Sequence, residues 1–443
     1  MASALMTTVE PARVALLGFG TVGQAVAHIL CSGDVSGVRL THIFNRNVAR
    51  KKVDWVPASV CWTESVADVV ASDVDIVVEV VGGRQPAGDW IRAALIAGKS
   101  VVTANKQLIA HDGPELVELA RTRGLELRFE ASVAGGIPVL RALQEGLAGD
   151  RLVHVAGVLN GTCAYVLSRM ESAGVPFTLA LAEAQVAGYA EADPTEDVEG
   201  ADAAAKLAIL TAVGLRHLIR AGDIPTRSIR PIDLVDFEYA KTLGCTIRQI
   251  ARASVQADGP VLAGVGPALV PQTSGFGRIS GSQNLVTVRG VFGGETSFAG
   301  SGAGGSPTAV AVVSDLLAIR AAGGRRVADN TPRPEMHAVS GDFLVPQYVR
   351  FTVRDRPGII AAVGTAFARY GTNIEAVIQL PNHAKDRLPF VTTLEPCAES
   401  VVDRALAELE ALDWMVERPL RLPILRESPS ISDPGRSASR RFS

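Results

Sequence analysis

The sequence predicts an α/β protein of several domains: a parallel-sheet unit, then an α+β unit, then a small βαββαβ unit near the C-terminus. Three observations carry this prediction. From residue 12 to about 145, short β-branched runs alternate with helical patterns, the mark of βαβ units on a parallel sheet. A polar stretch rich in Gly and Pro at 321–347 interrupts the chain and reads as a linker. Beyond it, at 348–425, the pattern order becomes strand, helix, strand, strand, helix, strand. At 443 residues the chain is too long for one hydrophobic core, so two or three domains are required.

The strands of the first unit, 12–145, are the runs RVALLGFG, RLTHIFNR, VDIVVEVVGG, KSVVTANK and LELRFEASV. Several are almost continuously apolar, as strands covered on both faces must be. The first leads into VALLGFGTVG, where Gly18, Gly20 and Gly23 keep the G-x-G-x-x-G spacing before the helical pattern TVGQAVAHIL. A strand, a glycine turn and a helix in that order form the dinucleotide fingerprint of a Rossmann-type domain. Gly18 allows the tight turn, Gly20 lets a pyrophosphate approach the backbone, and Gly23 allows close helix–strand packing. Phe19, Thr21 and Val22 complete the loop expected to bind the cofactor. A purely structural glycine turn is the competing reading.

The second strand bears on the cofactor's 2′ group. An NAD site usually carries Asp or Glu about twenty residues past the glycines. Here the chain reads HIFNRNVARKK, with Arg46, Arg50, Lys51 and Lys52 and no acid before Asp54. The basic cluster suits the 2′-phosphate of NADP, with NAD also open. A solvated basic turn explains the same residues without a ligand.

The second unit, 146–320, begins with VHVAGVLNGT and holds alanine-rich helices. It ends in FAGSGAGGSPTAVAVVSDLLA, whose last half reads as a helix returning to the first domain. Within GADAAAKLAIL, Asp202 and Lys206 lie four apart and share one helix face, the acid N-terminal to the base. On an exposed helix such a pair contributes little. Its flanks are too apolar for exposure, so the pair is expected to be buried or in a cleft. There desolvation favours the neutral amine, and a lysine can work as an acid or base near neutral pH. Lys106 ends the run KSVVTANK, where ligands of open α/β sheets bind.

A net charge of −3 offers no footprint for nucleic acid or an anionic membrane. No apolar run approaches the length of a membrane span, and the N-terminus has no signal-peptide pattern, so a cytoplasmic protein, or an organellar one after any processing, is expected. The five cysteines form no CxxC pair, which argues against a disulfide framework or a zinc site. Most are expected to be small core residues. The tail, 426–443, has too little apolar surface to order itself and is expected to be disordered.

Three longer segments carry a family resemblance: VVTANKQLIA at 101–110, FEASVAGGIPVL at 129–140 and GYAEADPTEDVEGADAAAKLAIL at 188–210. Together with LLGFGTVG, VVEVVGG, NGT and GSGAGGSPTA, they make residues 12–320 resemble the homoserine dehydrogenases. The resemblance implies reversible reduction of L-aspartate 4-semialdehyde to L-homoserine with NAD(P)H, in threonine, methionine and isoleucine biosynthesis. It implies that Lys206 and Asp202 handle the proton and that Lys106 contacts cofactor and substrate. Glu191 and Asp197 would hold the substrate's polar ends, Thr162 and Tyr189 would line its pocket, and Gly302 and Gly304 would close over the cofactor. Glu130, with the carbonyls of Val133, Gly135 and Ile137, matches a monovalent-cation site, usually sodium, that fixes a domain junction. The second unit would also build a homodimer or homotetramer.

The C-terminal unit resembles an ACT domain, with Asp355, Pro357 and Gly358 in the turn RDRPGII. That resemblance implies a regulatory module, with threonine or a related amino acid as effector at an interface between two such domains. An oligomerisation module without a ligand is the alternative. Two rival functions remain at this point. A thioester-forming aldehyde dehydrogenase would use Cys163, in NGTCAYV, as nucleophile but would need a nearby base. A catalytically inactive, dinucleotide-binding amino-acid sensor would share the folds but has no reason to keep Lys106, Asp202 and Lys206.

Overall fold

The computed structural model describes residues 10–256, 259–323 and 335–426. Beyond Arg426 the tail expected to be disordered lies outside the described residues, as do 324–334 of the expected linker. The chain forms two compact units. One comprises Met1–Ala148, Ala208–Ala221 and Phe298–Glu335; the other comprises Gly149–Leu207, Gly222–Ser297 and Met336–Ser443.

The first unit is built on six parallel strands: β1 (Ala12–Leu17), β2 (Val38–Phe44), β3 (Cys61–Thr63), β4 (Ile76–Glu79), β5 (Ser100–Thr103) and β6 (Leu127–Arg128). Their order is β3-β2-β1-β4-β5-β6, so the winding reverses between β1 and β4. The period-2 geometry of β1 explains why both faces are covered. Val14 and Leu16 pack with helices Thr21–Cys31 and Gly305–Ala322, through Val26, Leu30, Val312 and Leu316. Ala15 and Leu17 point the other way, toward Ile91, Leu95, Leu108 and Leu116 of helices Ala87–Ile96 and Lys106–Thr122. Each fully buried Val or Leu side chain stabilises the sheet by about 1.5–3 kcal/mol.

In the second unit, strands Gln283–Gly290, Leu152–Val158, Cys245–Ser254 and Val261–Pro271 pair antiparallel in that order. Val339–Ser340, from the expected linker, adds a parallel edge to Val261–Leu262. Helices Gly161–Ala173, Phe177–Val186 and Leu234–Thr242 belong to the same unit. The C-terminal strands run Ile374–Ile378, Leu388–Ala398, Leu344–Val353, Leu420–Pro423, all antiparallel, in the order of a ferredoxin-like βαββαβ sheet. Val349, Phe351 and Val353 face helices Ile359–Arg369 and Glu399–Glu410. Tyr348, Val391 and Leu422, on the other face, share a core with Tyr239, Val166 and Leu167. The regulatory-type sheet is therefore covered on both faces.

Among the cysteines only Cys163 and Cys245 are core residues; Cys31 and Cys397 are half-buried and Cys61 is exposed. The expectation that most are buried is corrected. Cys61 sits at the start of β3, an outer strand with one paired neighbour, where burial is incomplete. No helix among the described residues is long and apolar enough to cross a membrane.

Candidate active site

At the carboxyl ends of β1 and β4, close contacts require two of the three glycines, and the third faces open space. Gly18 has φ +104°, and a Cβ there would come within 3.0 Å of the Val80 carbonyl oxygen. A Cβ on Gly23 would lie 2.2 Å from the Gly18 oxygen, so helix Thr21–Cys31 reaches the turn only with glycine. A Cβ on Gly20 meets nothing within 4 Å; this is the open side from which a phosphate can approach the helix N-terminus. Phe19 has a different position: it is 1 % exposed, with its ring centroid 4.9 Å from Trp62 and 5.9 Å from Trp55. Only its backbone faces the turn.

Glu79, fully buried at the end of β4, organises the neighbouring loop. Its Oε1 accepts the amides of Val81 (2.7 Å) and Gly82 (3.0 Å), and its Oε2 accepts the Thr103 hydroxyl at 2.6 Å. Asn105 caps the helix that Lys106 begins: Oδ1 accepts the Leu108 amide and Nδ2 donates to the Gly83 carbonyl at 2.6 Å. Lys106 is thus fixed just past β5 by a buried asparagine. The runs VVEVVGG and VVTANK stand out in the sequence, but neither Glu79 nor Asn105 does so within them. Arg46 is exposed in the turn directly after β2, beside exposed Arg50, Lys51 and Lys52. Gly304, at φ +120°, precedes helix Gly305–Ala322, and a Cβ on Gly305 would lie 3.0 Å from the Thr21 methyl.

The Glu130 segment lies in the same unit. Its side chain is 6 % exposed; Oε1 accepts the Leu140 amide and Oε2 the Arg141 amide, each at 2.8 Å. Its own amide donates to Asp315, a carboxyl 4 % exposed, at 2.9 Å. Burial pushes the Glu130 carboxyl up, and burial together with Glu130 pushes Asp315 up to about 7. Two buried acids so close favour a nearby cation. Glu130 retains lone pairs beyond those its two amides use, and Ala134 and Gly135 hold left-handed backbone where the turn reverses.

The second unit gathers most of the predicted substrate residues around Asn160. This residue ends the strand-to-helix turn after Leu152–Val158, and its Oδ1 caps helix Gly161–Ala173 by accepting the Cys163 amide at 2.8 Å. Its Nδ2 then donates both to Asp197 Oδ1 (2.6 Å) and to Asp202 Oδ2 (2.8 Å). The single Thr162 hydroxyl proton is shared between the Tyr189 carbonyl, at 2.5 Å, and Asp197 Oδ2, at 3.1 Å. Lys206 Nζ donates to Asp202 Oδ2 and to the Leu159 carbonyl, both at 2.8 Å. The Asp202 and Lys206 side chains are only 2 % and 13 % exposed. The pair is buried along with the Ala, Leu and Ile residues of its own helix, as the apolar flanks predict.

Asp197, Asp202, Lys206 and Thr162 therefore form one hydrogen-bonded cluster. Tyr189 reaches it only through its carbonyl; its half-exposed ring stacks on Tyr165, centroids 4.7 Å apart. Glu191 is exposed in the following loop, and its carbonyl accepts from Gln185. Asn160 is the member that sequence reasoning misses, although its tripeptide NGT carries part of the resemblance. Cys163 lies in the same turn but is fully buried, donating to the Asp197 carbonyl. Burial, with Asp197 and Asp202 nearby, pushes its thiol well above the ordinary range, the opposite of what a thiolate nucleophile needs.

Two carboxylates against one ammonium leave this cluster with an excess negative charge. It is suited to a substrate carrying an ammonium group, with a lysine proton within reach of an oxygen. Three family models match successive stretches of the chain. Residues 18–130 match "Homoserine dehydrogenase, NAD binding domain", 138–317 match "Homoserine dehydrogenase", and 347–413 match "ACT domain". The homoserine dehydrogenase of Mycobacterium tuberculosis is 40 % identical over 385 residues, 84 % of this chain and 87 % of the relative. That of Pseudomonas aeruginosa is 36 % identical over 94 % of this chain and 99 % of its own. The crystal structure of the Thiobacillus denitrificans homoserine dehydrogenase superposes with a TM-score of 0.86 at 33 % identity, covering 94 % of this chain and 98 % of that one. A hyperthermophilic archaeal homoserine dehydrogenase in complex with NADPH superposes with a TM-score of 0.60 at 26 % identity, over 70 % of this chain and 97 % of that one. The glycine turn, the carboxylate–lysine cluster and the C-terminal βαββαβ domain thus come together in one assignment: the chain belongs to the homoserine dehydrogenase family of NAD(P)-dependent oxidoreductases.

Proposed function

We propose that the chain interconverts L-aspartate 4-semialdehyde and L-homoserine, preferring NADP, with Lys206 as the proton-transferring group. The observation that carries this reading is the buried Asp202–Lys206 pair, held in the Asn160 cluster beside a second carboxylate. The bound nicotinamide supplies or removes the hydride at C4 of the substrate.

The residues of this chain do the rest. Asp202 and the Leu159 carbonyl take two of the three Lys206 N–H groups, which fixes the ammonium and leaves the third for the substrate oxygen. In the reductive direction Lys206 gives a proton to the oxygen as negative charge develops there; in the oxidative direction it takes the hydroxyl proton. Asp202 orients the Lys206 side chain. Glu191 and Asp197 are assigned to the substrate's ammonium group and hydroxyl end, Thr162 and Tyr189 to the pocket wall, and Lys106 to the developing oxyanion and the cofactor. The glycine turn with Phe19, Thr21 and Val22, together with Gly304, would cradle the pyrophosphate, and Arg46 would pair with the 2′-phosphate.

Glu130, with the carbonyls of Val133, Gly135 and Ile137, would hold a sodium ion that offsets the buried Glu130–Asp315 pair. The domains are assigned as 12–145, 146–320, whose C-terminal helix returns to the first, and 348–425. The second domain is assigned to self-association as a dimer or tetramer, and the ACT domain to feedback by an amino acid such as threonine. The free cysteines suit a reducing, cytoplasmic setting.

Homoserine-dependent reduction of NADP and of NAD, measured on wild type and Lys206→Ala, tests the reading. NADP turnover that falls by about 10²–10⁴ in the variant is the expected result. Absence of turnover with either cofactor overturns the activity, and unchanged turnover in the variant removes Lys206 from the proton step.

A further inference from the structure

Strands Leu152–Val158 and Gln283–Gly290 run antiparallel, and the ladder between them ends at the pair Val158–Leu285. One step further, Leu159 leaves the sheet to begin the turn that carries Asn160, and the residue opposite it is Asn284. There a side chain takes over from the backbone: Asn284 Nδ2 donates to the Leu159 carbonyl at 3.0 Å. The same carbonyl accepts Lys206 Nζ at 2.8 Å. A carbonyl oxygen has two lone pairs, and these two donors fill them.

Packing alone does not call for an amide at this position. Asn284 is 1 % exposed, and the residues after it, Leu285 and Val286, are apolar and buried. Leu285 shares a core with Val158 and Ala164. The Asn284 Oδ1 is buried with no hydrogen-bond partner among the described residues. A buried acceptor in that state costs stability, and a leucine of similar size would avoid the cost. Asn284 therefore departs from what the core favours, at the carbonyl that also holds Lys206. Such departures mark functional positions.

What the donated bond fixes is a whole peptide group. The Leu159 carbonyl and the Asn160 amide belong to one planar unit. Holding the carbonyl sets the direction in which Lys206 is drawn. Through the same plane it sets the start of Asn160, whose side chain joins Asp197 to Asp202. Without the Asn284 bond the plane is free to tilt, taking the ammonium away from the orientation in which its remaining N–H meets the substrate oxygen. The loop that delivers Asn284 is itself held. Buried Arg248 donates to the carbonyls of Gly277, at 3.3 Å, and Ile279, at 3.1 Å. Ser282 lies against the first turn of helix Gly161–Ala173, where a Cβ on Gly161 would stand 3.7 Å from the Ser282 Cβ.

We infer that Asn284 is a positioning residue for proton transfer: through the Leu159 carbonyl it orients the Lys206 ammonium toward the reacting oxygen. The inference rests on the reading of Lys206 as the proton-transferring group.

Steady-state kinetics with homoserine test it on Asn284→Leu, on Asn284→Asp and on Asn284→Leu combined with Lys206→Ala. In Asn284→Leu, kcat should fall about ten- to a hundredfold. KM for homoserine should stay within about threefold, because the lost interaction serves the reacting step. The unfolding midpoint should not drop, since the unpartnered oxygen leaves with the amide. Asn284→Asp discriminates further. The introduced carboxyl can donate to the Leu159 carbonyl when protonated, as the amide does, and cannot when ionised. Its kcat relative to wild type should therefore be highest at low pH and fall as pH rises, with burial extending the protonated form toward neutrality. On top of Lys206→Ala, Asn284→Leu should cost nothing further in kcat, because both act through one group.

Wild-type kcat in Asn284→Leu overturns the inference, and so does the full loss repeated in the Lys206→Ala background. An Asn284→Asp variant that loses stability while its activity relative to wild type stays flat with pH would make the amide merely structural, which also overturns it. Should Asn284→Leu fail to fold, that pH dependence of Asn284→Asp decides alone. The underlying reading fails separately: no turnover by wild type, or unchanged turnover in Lys206→Ala, removes the proton step itself and the inference with it.

Discussion

Two buried charge clusters in the second unit are built from ion pairs of the same length and differ in what they leave unsaturated. Lys206 meets Asp202 at 2.8 Å, and Arg350 meets Asp236 at 2.8 Å. Around Asp236 every bond is internal. Its Oδ1 accepts Arg350 and the Tyr348 hydroxyl, and its Oδ2 accepts the Asp233 amide in a capping box. Arg350 in turn reaches Thr352, Glu417 and the Pro231 carbonyl. The Asp202 cluster instead keeps two carboxylates against one ammonium and an N–H of Lys206 in hand. Burial of an ion pair does not by itself mark chemistry; unspent charge and donor capacity do.

The largest effect that would sharpen this contrast concerns Arg350. Burial pushes the Asp236 carboxyl upward in spite of its cationic partner, so desolvation outweighs the attraction of the guanidinium there. Removing the partner leaves a carboxylate with no exposure. Arg350→Met should cost about 3–5 kcal/mol of stability in a denaturant titration. Asp236→Leu with Arg350→Met together should recover most of that loss, because matched apolar groups need no counter-charge. Failure of the double variant to recover would mean that the network contributes net stability and that the two clusters do not differ in this way.

The next effect concerns Asn160, which lies on the active side of the comparison. Asn160→Asp keeps the cap on Cys163 but puts a third carboxylate between Asp197 and Asp202. Turnover with homoserine should fall about a hundredfold, roughly 2.7 kcal/mol of barrier. The pH profile should shift as well, because the added acid changes the charge around Lys206. Asn160→Ser shortens the donor without adding charge and should lose less. A purely structural Asn160 would lower stability in both variants and leave the pH profile in place.

How much of this the sequence disclosed depended on sequence distance. The glycine turn was legible because its geometry is set within six residues, and Asp202–Lys206 because a helix brings four-apart residues together. Asn160 binds partners 37 and 42 positions away, and no local pattern signals that. The same holds for Asp236 and Arg350, 114 apart, which read as ordinary polar positions in a helix start and a strand. The βαββαβ order was legible from its own periodicity. The cover on its open face was not, since Tyr239 and Tyr348 become neighbours only when the chain closes. Phe19 reads as part of a ligand loop because motifs do not distinguish backbone from side chain.

The smallest effect tests a third way of burying an ionisable group, with no counter-charge at all. His154 lies in strand Leu152–Val158, paired with Ser254 on one side and Arg289 on the other, and shares a 2.7 Å hydrogen bond with the Ser254 hydroxyl. Burial, reinforced by Arg289 and Arg252, lowers its pKa from 6.5 to about 4, so the folded protein holds it neutral. Between these values the unfolded chain binds more protons than the folded one. The stabilisation is therefore complete above about pH 6.5 and is lost as pH falls toward 4. From pH 7.5 to pH 5 the loss amounts to about 2 kcal/mol. His154→Gln retains a hydrogen-bonding group but cannot titrate, so the difference in unfolding free energy between wild type and variant should shift by that amount across this range. Carboxylates that titrate in both proteins cancel in that difference. A difference that stays constant with pH would mean that His154 is protonated in the fold, which would put a cation between two arginines and break the rule drawn from the two clusters.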